Sequence, residues 1–160
     1  EMDNITMFAK DALSAKMAEC YVTIEGNRYK MMNAINIEAT LEKTKQEVPI
    51  LGRMNKGHKA TGTNGTGSAS FHYNTSMFRK LMKRYQDTGE DFYFDMQITN
   101  EDATSAAGRQ TIILKDCNFD SVTVVKFDAD SEDSLTEELD FTFEKFEMPE
   151  EFTLLEGMQA

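Results

Sequence analysis

The chain has 160 residues, about one domain's length, with 40% apolar and 28% charged residues and a net charge of −11. No apolar run approaches the roughly 18 residues of a membrane-spanning helix, so no membrane binding by the chain itself is expected. The acidity argues against specific DNA binding, because a surface of that sign repels phosphate.

The charge is unevenly spread. Residues 1–90 hold 13 Lys/Arg against 10 Asp/Glu, and residues 91–160 hold 4 against 18. A basic region that meets an acidic region of another copy makes a head-to-tail contact, the kind that builds rings or filaments. The opening EMDNITMFAKDALS lacks a basic start followed by an apolar core, so no signal peptide is expected. Cys20 and Cys117 are far apart and form no CxxC, which reads as two buried free thiols in a reducing compartment. Asn-x-Ser/Thr triplets begin at Asn4, Asn64 and Asn74; without a secretion signal they read as chance matches.

In chain order, residues 1–17 read as an N-terminal arm with a short helix around Met7–Met17. AECYVTI (18–24) favours a strand, and Glu25-Gly26-Asn27 a tight turn with positive φ at Gly26 and Asn27. Residues 28–32 return as the hairpin partner. Ile35, Ile37, Ala39 and Leu41 then alternate with Asn36, Glu38, Thr40 and Glu42, the pattern of a half-buried strand.

Residues 44–67 read as a long loop. The stretch from Lys43 to Tyr73 holds five of the nine glycines (Gly52, Gly57, Gly62, Gly65, Gly67) and the basic group Arg53, Lys56, His58 and Lys59. A loop of this length inside a compact domain is usually functional or disordered. It is expected to project as an arm that orders only on meeting a partner.

Beyond it, Ala69, Phe71 and Tyr73 predict another strand. A helix follows, capped by Asn74 or Thr75, spanning 75–88 and ended by Gly89. Its apolar stripe is Phe78, Leu81, Met82 and Tyr85; Arg79, Lys80, Lys83 and Arg84 fill the rest. Strands are predicted at 92–98, 109–114, 119–127 and 139–146, with an acidic loop, DADSEDSLTEE, between the last two. The tail from residue 149 to 160 reads as a loose C-terminal arm. The resulting class is mainly β with one helix: an antiparallel β-sandwich or small barrel spanning 18–148, with a flanking α-helix.

Gly52 to Lys59 approaches the phosphate loop G-x-x-x-x-G-K-[ST], but His58 stands where the lysine belongs and a strand, not a helix, follows. Asp128 to Leu139 starts like a calcium loop, but lacks its glycine and its final Glu. His58 and His72, the only histidines, have no ligand cluster beside them. No nucleophile–base pair is apparent. No cofactor, no metal and no enzymatic activity is expected.

The runs LGRMNKGHKATGTNGTGSASFHYNTSMF, KDCNFDSV and ELDFTFEKFEMPE resemble the tail-tube proteins of PBSX-like prophages and related contractile phages, over about residues 18–150. The resemblance implies a tail-tube β fold and a structural role. It implies self-association into hexameric rings that stack as a tube inside a contractile sheath, started from a baseplate or tail initiator. The particle would be a virion or a headless phage-tail-like bacteriocin (a tailocin), assembled in the bacterial host cytoplasm. DNA would pass through the lumen without specific binding if the source is a phage. The long loop, 44–67, would reach the neighbouring ring through Arg53, Lys56, His58 and Lys59, with Gly62, Gly65 and Gly67 keeping it flexible. The basic helix face, Arg79, Lys80, Lys83 and Arg84, is the candidate contact with sheath or neighbour. The alternative is a monomeric ligand-binding sandwich with the arm as a mobile lid; an aromatic in the arm would favour it, and none lies between Ile50 and Ser70. An enzyme with a mobile loop would need a catalytic cluster.

Overall fold

The computed structural model describes residues 6–14 and 17–159. The elements are β1 (Ala18–Ile24), β2 (Asn27–Lys30), β3 (Ala34–Val48), β4 (Gly57–His72), α1 (Met77–Thr88), β5 (Phe94–Glu101), β6 (Arg109–Phe119), β7 (Thr136–Phe143) and β8 (Lys145–Glu150). The class expected from the sequence stands: mainly antiparallel β with one helix. The chain forms two compact units, each assembled from separated segments.

The first unit takes residues 1–32, 94–115 and 146–160. Its strand order is β2-β1-β5-β6, with β8 also on β6. Period-2 alternation sends Cys20, Val22 and Ile24 inward, where Val22 sits opposite Met96 and Ile24 opposite Phe94. The β1–β2 turn puts Glu25 and Gly26, rather than Gly26 and Asn27, at positive φ, because Asn27 already pairs with Ile24. Instead of a helix at 7–17, the N-terminal segment forms a three-residue 3-10 turn, Ala9–Asp11. Residues 1–5, 15 and 16 of the expected arm, with the Asn4 triplet, lie outside the described residues, as does Ala160. The expected loose tail begins later than residue 149, since Met148 and Pro149 belong to β8.

The second unit takes residues 33–93 and 116–145. The end of β6, then β7, β4 and β3 lie side by side. One face buries Ala69, Phe71, Leu139, Phe141 and Phe143. Helix α1 closes the unit through Phe78, whose ring lies 5.6 Å from Phe71 and 4.6 Å edge-on from Phe119. Only Phe78 of the expected stripe is buried; Leu81 and Met82 are half-buried and Tyr85 is exposed. The helix starts at Met77 with Ser76 in the capping position and no side-chain cap. Thr75 instead accepts from the Met77 N–H through its hydroxyl. Gly89 ends the helix in the left-handed conformation, as expected.

Two strand assignments change. Residues 120–135 pair with no strand, so the run expected at 119–127 is not one; β6 ends at Phe119. The run expected at 139–146 is the end of β7 and the start of β8, broken at Glu144.

Candidate assembly surface

The segment 44–67 is not a loop. β3 and β4 pair from Ala34↔Phe71 out to Val48↔Gly57, with two irregularities, one between Ala34 and Asn36 and one beside Thr44, where the Thr61 hydroxyl donates to the Thr44 carbonyl. Backbone pairing alone, without an apolar face, carries the hairpin past the core. β7 supports β4 only from Gly65 to His72. Outward of that, Glu42–Val48 and Gly57–Asn64 form a two-stranded ribbon with no third strand. At about 3.3 Å per residue the ribbon stands some 23 Å beyond the sheet.

Its turn, residues 49–56, ends in two side chains with no cover at all: Leu51 is 104% and Met54 103% exposed relative to a free residue. Arg53 is also exposed at this tip. Lys56 lies 3.5 Å from Glu47 across the ribbon, an exposed pair of small energetic consequence. His58 and Lys59 follow Gly57 at the start of β4, with His58 opposite Glu47. Of the glycines expected to confer flexibility, only Gly62 is open on all sides. Gly65 and Gly67 are packing residues. A Cβ on Gly65 would lie 2.5 Å from the Phe143 carbonyl oxygen and 2.9 Å from its ring. One on Gly67 would strike the Phe141 ring and lie 2.8 Å from the Glu38 carbonyl oxygen. The two phenylalanines of β7 lie flat on the two glycines of β4, which sit opposite them in register.

The basic helix residues separate by role. Arg79 is committed within its own unit. Its guanidinium donates to Glu137 Oε2 at 2.8 Å, to the Thr123 carbonyl at 3.3 Å and to the Thr75 carbonyl, and it stacks 4.2 Å over Tyr73. Lys83 pairs with Asp87 one turn on, Arg84 is half-buried, and Lys80 points to solvent.

The sequence reading missed Glu137, placed there in a solvated acidic loop. Its side chain is 1% exposed. The signal was available: Glu137 shares strand parity with Leu139, Phe141 and Phe143, so it falls on the buried face. A buried carboxylate needs a cation, and Arg79 supplies it. The carboxylate's other oxygen, Oε1, has no hydrogen-bond partner among the described residues.

Arg79 also holds the segment that follows β6. Arg79 and Tyr73 donate to the carbonyls of Thr123 and Val124, and Lys126 donates to the Thr136 carbonyl at 2.6 Å. Side chains thus secure residues 122–126 where a strand ladder does not. Val124, Val125 and Phe127 are left 69%, 80% and 83% exposed.

In the first unit, an open cavity is lined by Glu19, Tyr21, Arg28, Gln97, Glu101 and Arg109, among others. Its charges answer each other. Arg109 bonds Glu150 at 2.9 Å and lies 3.9 Å from Glu101, so its guanidinium is held above its ordinary pKa, chiefly by the Glu150 bond. Arg28 stacks 4.0 Å over Tyr21. Nearby, Asp11 and Asp102 tie the N-terminal segment to the 102–107 loop: Asp11 accepts from the Ala106 N–H, and Asp102 from the Ser14 N–H. Bonds from the Thr104 hydroxyl, then from the N–H groups of Thr104 and Ser14, hold Asp102 below the usual carboxylate pKa. Both cysteines are free and buried, and burial pushes the Cys20 thiol up to about 12. Among the described residues, no three His, Cys, Asp or Glu converge as a metal site.

A family model described as phage tail tube protein matches residues 5–150. The chain belongs to that family. It is 41% identical to the phage-like element PBSX protein XkdM of Bacillus subtilis (strain 168) over 145 residues, covering 91% of this chain and 95% of that one. Its fold matches a chain in the anti-feeding prophage baseplate with a TM-score of 0.64 at 13% identity, covering 90% of this tail-tube protein and 97% of that chain. It likewise matches a chain of an extracellular contractile injection system sheath–tube complex with a TM-score of 0.61 at 14% identity, covering 88% and 93%.

Proposed function

We propose that this protein is the repeating subunit of a contractile tail's inner tube, built as hexameric rings that stack inside a sheath. Its work is mechanical and not enzymatic. The particle is a virion or a phage-tail-like bacteriocin, assembled in the bacterial cytoplasm from a baseplate or tail initiator. The observation that carries this is the ribbon. An unsupported two-stranded hairpin is marginal in water, and a tip bearing uncovered Leu51 and Met54 asks for a second surface. A subunit that stacks has that surface on its neighbour.

The acidity supports the same reading. Each copy contributes a charge of −11, and a bore lined with that sign repels DNA phosphates, letting a genome slide without sticking. Ring-to-ring contact is assigned to the ribbon, with Arg53, Lys56, His58 and Lys59 near its tip. Contact with sheath or neighbour falls to the outward helix cations, Lys80 and Lys83.

Negative-stain electron microscopy of the purified chain over a concentration series tests this. Rings or tubes with six-fold views are expected. The triple variant Arg53→Glu/Lys56→Glu/Lys59→Glu is expected to stay dispersed; normal polymerisation by it would remove the ribbon from the contact.

A further inference from the structure

We propose that the ribbon tip of one copy seats on residues 122–133 of a second copy. This rests on the tube-subunit reading above and adds the receiving surface. Both features belong to the same compact unit, and neither covers the other within one chain: Leu51 and Met54 are fully exposed, and so, largely, are Val124, Val125 and Phe127. Each is an apolar patch that lacks a cover, and solvent-exposed apolar clusters of this kind mark contact sites.

Charge matches the pair. Residues 43–63 carry five Lys/Arg and one Glu, a balance of +4 on a chain of −11. Residues 120–133 carry five Asp/Glu and one Lys, a balance of −4. Their acids, Asp128, Asp130, Glu132 and Asp133, are exposed and follow directly on the apolar run. The tip has the same composition in opposite sign, with Leu51 and Met54 beside Arg53, Lys56 and Lys59.

Topology makes the contact repeat. Within this unit the strands run β6-β7-β4-β3; the ribbon continues β3 and β4, and the acceptor follows the end of β6, two strands away from β4. A tip that seats on the next copy, while a third copy's tip seats on its own acceptor, makes a heterologous contact in which each copy gives a tip and receives one. The β pattern of residues 121–127, which are in no strand of the structure, is then explained as a surface kept for a neighbour. Arg79, Tyr73 and Lys126 hold it in place until that neighbour arrives.

The test mixes two single variants, Met54→Cys and Val125→Cys, with a short bis-maleimide. Both sites are exposed, so folding is spared. The native thiols are buried and Cys20 stays protonated, so background is low. The expected result is a covalent dimer of one copy of each variant, absent when either variant is treated alone. Its yield is expected to fall several-fold from about 0.1 M to about 1 M salt, as the Debye length shrinks from about 10 Å to about 3 Å. Rings or tubes in the micrographs without the 54–125 link would overturn this contact and leave the tube reading standing. Dispersed chains that give no link at any concentration would also overturn this contact, because tip and acceptor are both exposed in the single chain; the tube reading would still stand, since the tube starts from an initiator.

Discussion

At the scale of single residues, the most constrained positions are glycines that look flexible in the sequence. Gly65 and Gly67 lie under Phe143 and Phe141, and a methyl group there has no room without moving a backbone carbonyl or a packed ring. Gly67→Ala is expected to destabilise by about 1–3 kcal/mol, the usual cost of overpacking, read from the denaturant midpoint. Gly62→Ala, in open space, is the control and should stay within about 0.5 kcal/mol. Asp102 makes a pH-dependent contribution. Its pKa is lower folded than unfolded, so it stabilises above the unfolded value near about 3.9 and that stability fades as pH falls through the folded value. Asp102→Asn should therefore lower the Tm at neutral pH, and the gap from the parent should narrow at acid pH, below the unfolded value. An equal gap at both pH values would mean that the carboxylate charge is not what matters.

At the scale of elements, β3 and β4 change character along their length. Near Ala69 and Phe71 they are part of a packed sheet; past Gly65 they are a two-stranded ribbon whose hydrogen bonds face water on both sides. Local opening should therefore be far easier in the outer part. In the dispersed chain, amides of residues 43–48 and 57–63 are expected to exchange at least about 100-fold faster than those of 69–71, and to slow on assembly. Uniform protection along β4 in the monomer would show the ribbon to be stable alone. The segment after β6 is the complementary case, a strand-like sequence secured by Arg79, Tyr73 and Lys126. Glu137 keeps Arg79 in place, and cutting a buried pair of this kind costs about 3–5 kcal/mol.

At the scale of the molecule, a contact between two different surfaces does not stop at a dimer. Sedimentation velocity over rising concentration should show species that keep growing beyond two copies, ending in closed rings or open tubes. A plateau at a dimer would indicate a closed two-fold contact, with tip and acceptor exchanged between two copies, in place of a stack. The −11 charge opposes association over longer range, so moderate salt should help assembly before high salt weakens the tip contact.

Much was legible in the sequence because the signals are local. Alternation at 18–24 and 35–41 marked strands, the stripe containing Phe78 marked the helix, and Gly89 marked its end. The runs that resemble tail-tube proteins, at 51–78, 115–122 and 138–150, are also read locally, so the family was legible too. What the sequence left open depends on partners distant in the chain. Residues 44–67 have no apolar alternation, and their pairing appears only because β3 and β4 are zipped from the core outward. Gly65 and Gly67 became packing sites only when β7 laid Phe143 and Phe141 across them. Glu137 became buried only because Arg79, 58 residues away in the chain, came to meet it. Residues 121–127 have the composition of a strand, but a strand needs a partner beside it, and the segment is secured by side chains instead of a ladder. Periodicity and turn chemistry determined which segments are β or α; the supply of neighbours, which only tertiary structure decides, determined which of them are paired, buried or left facing outward.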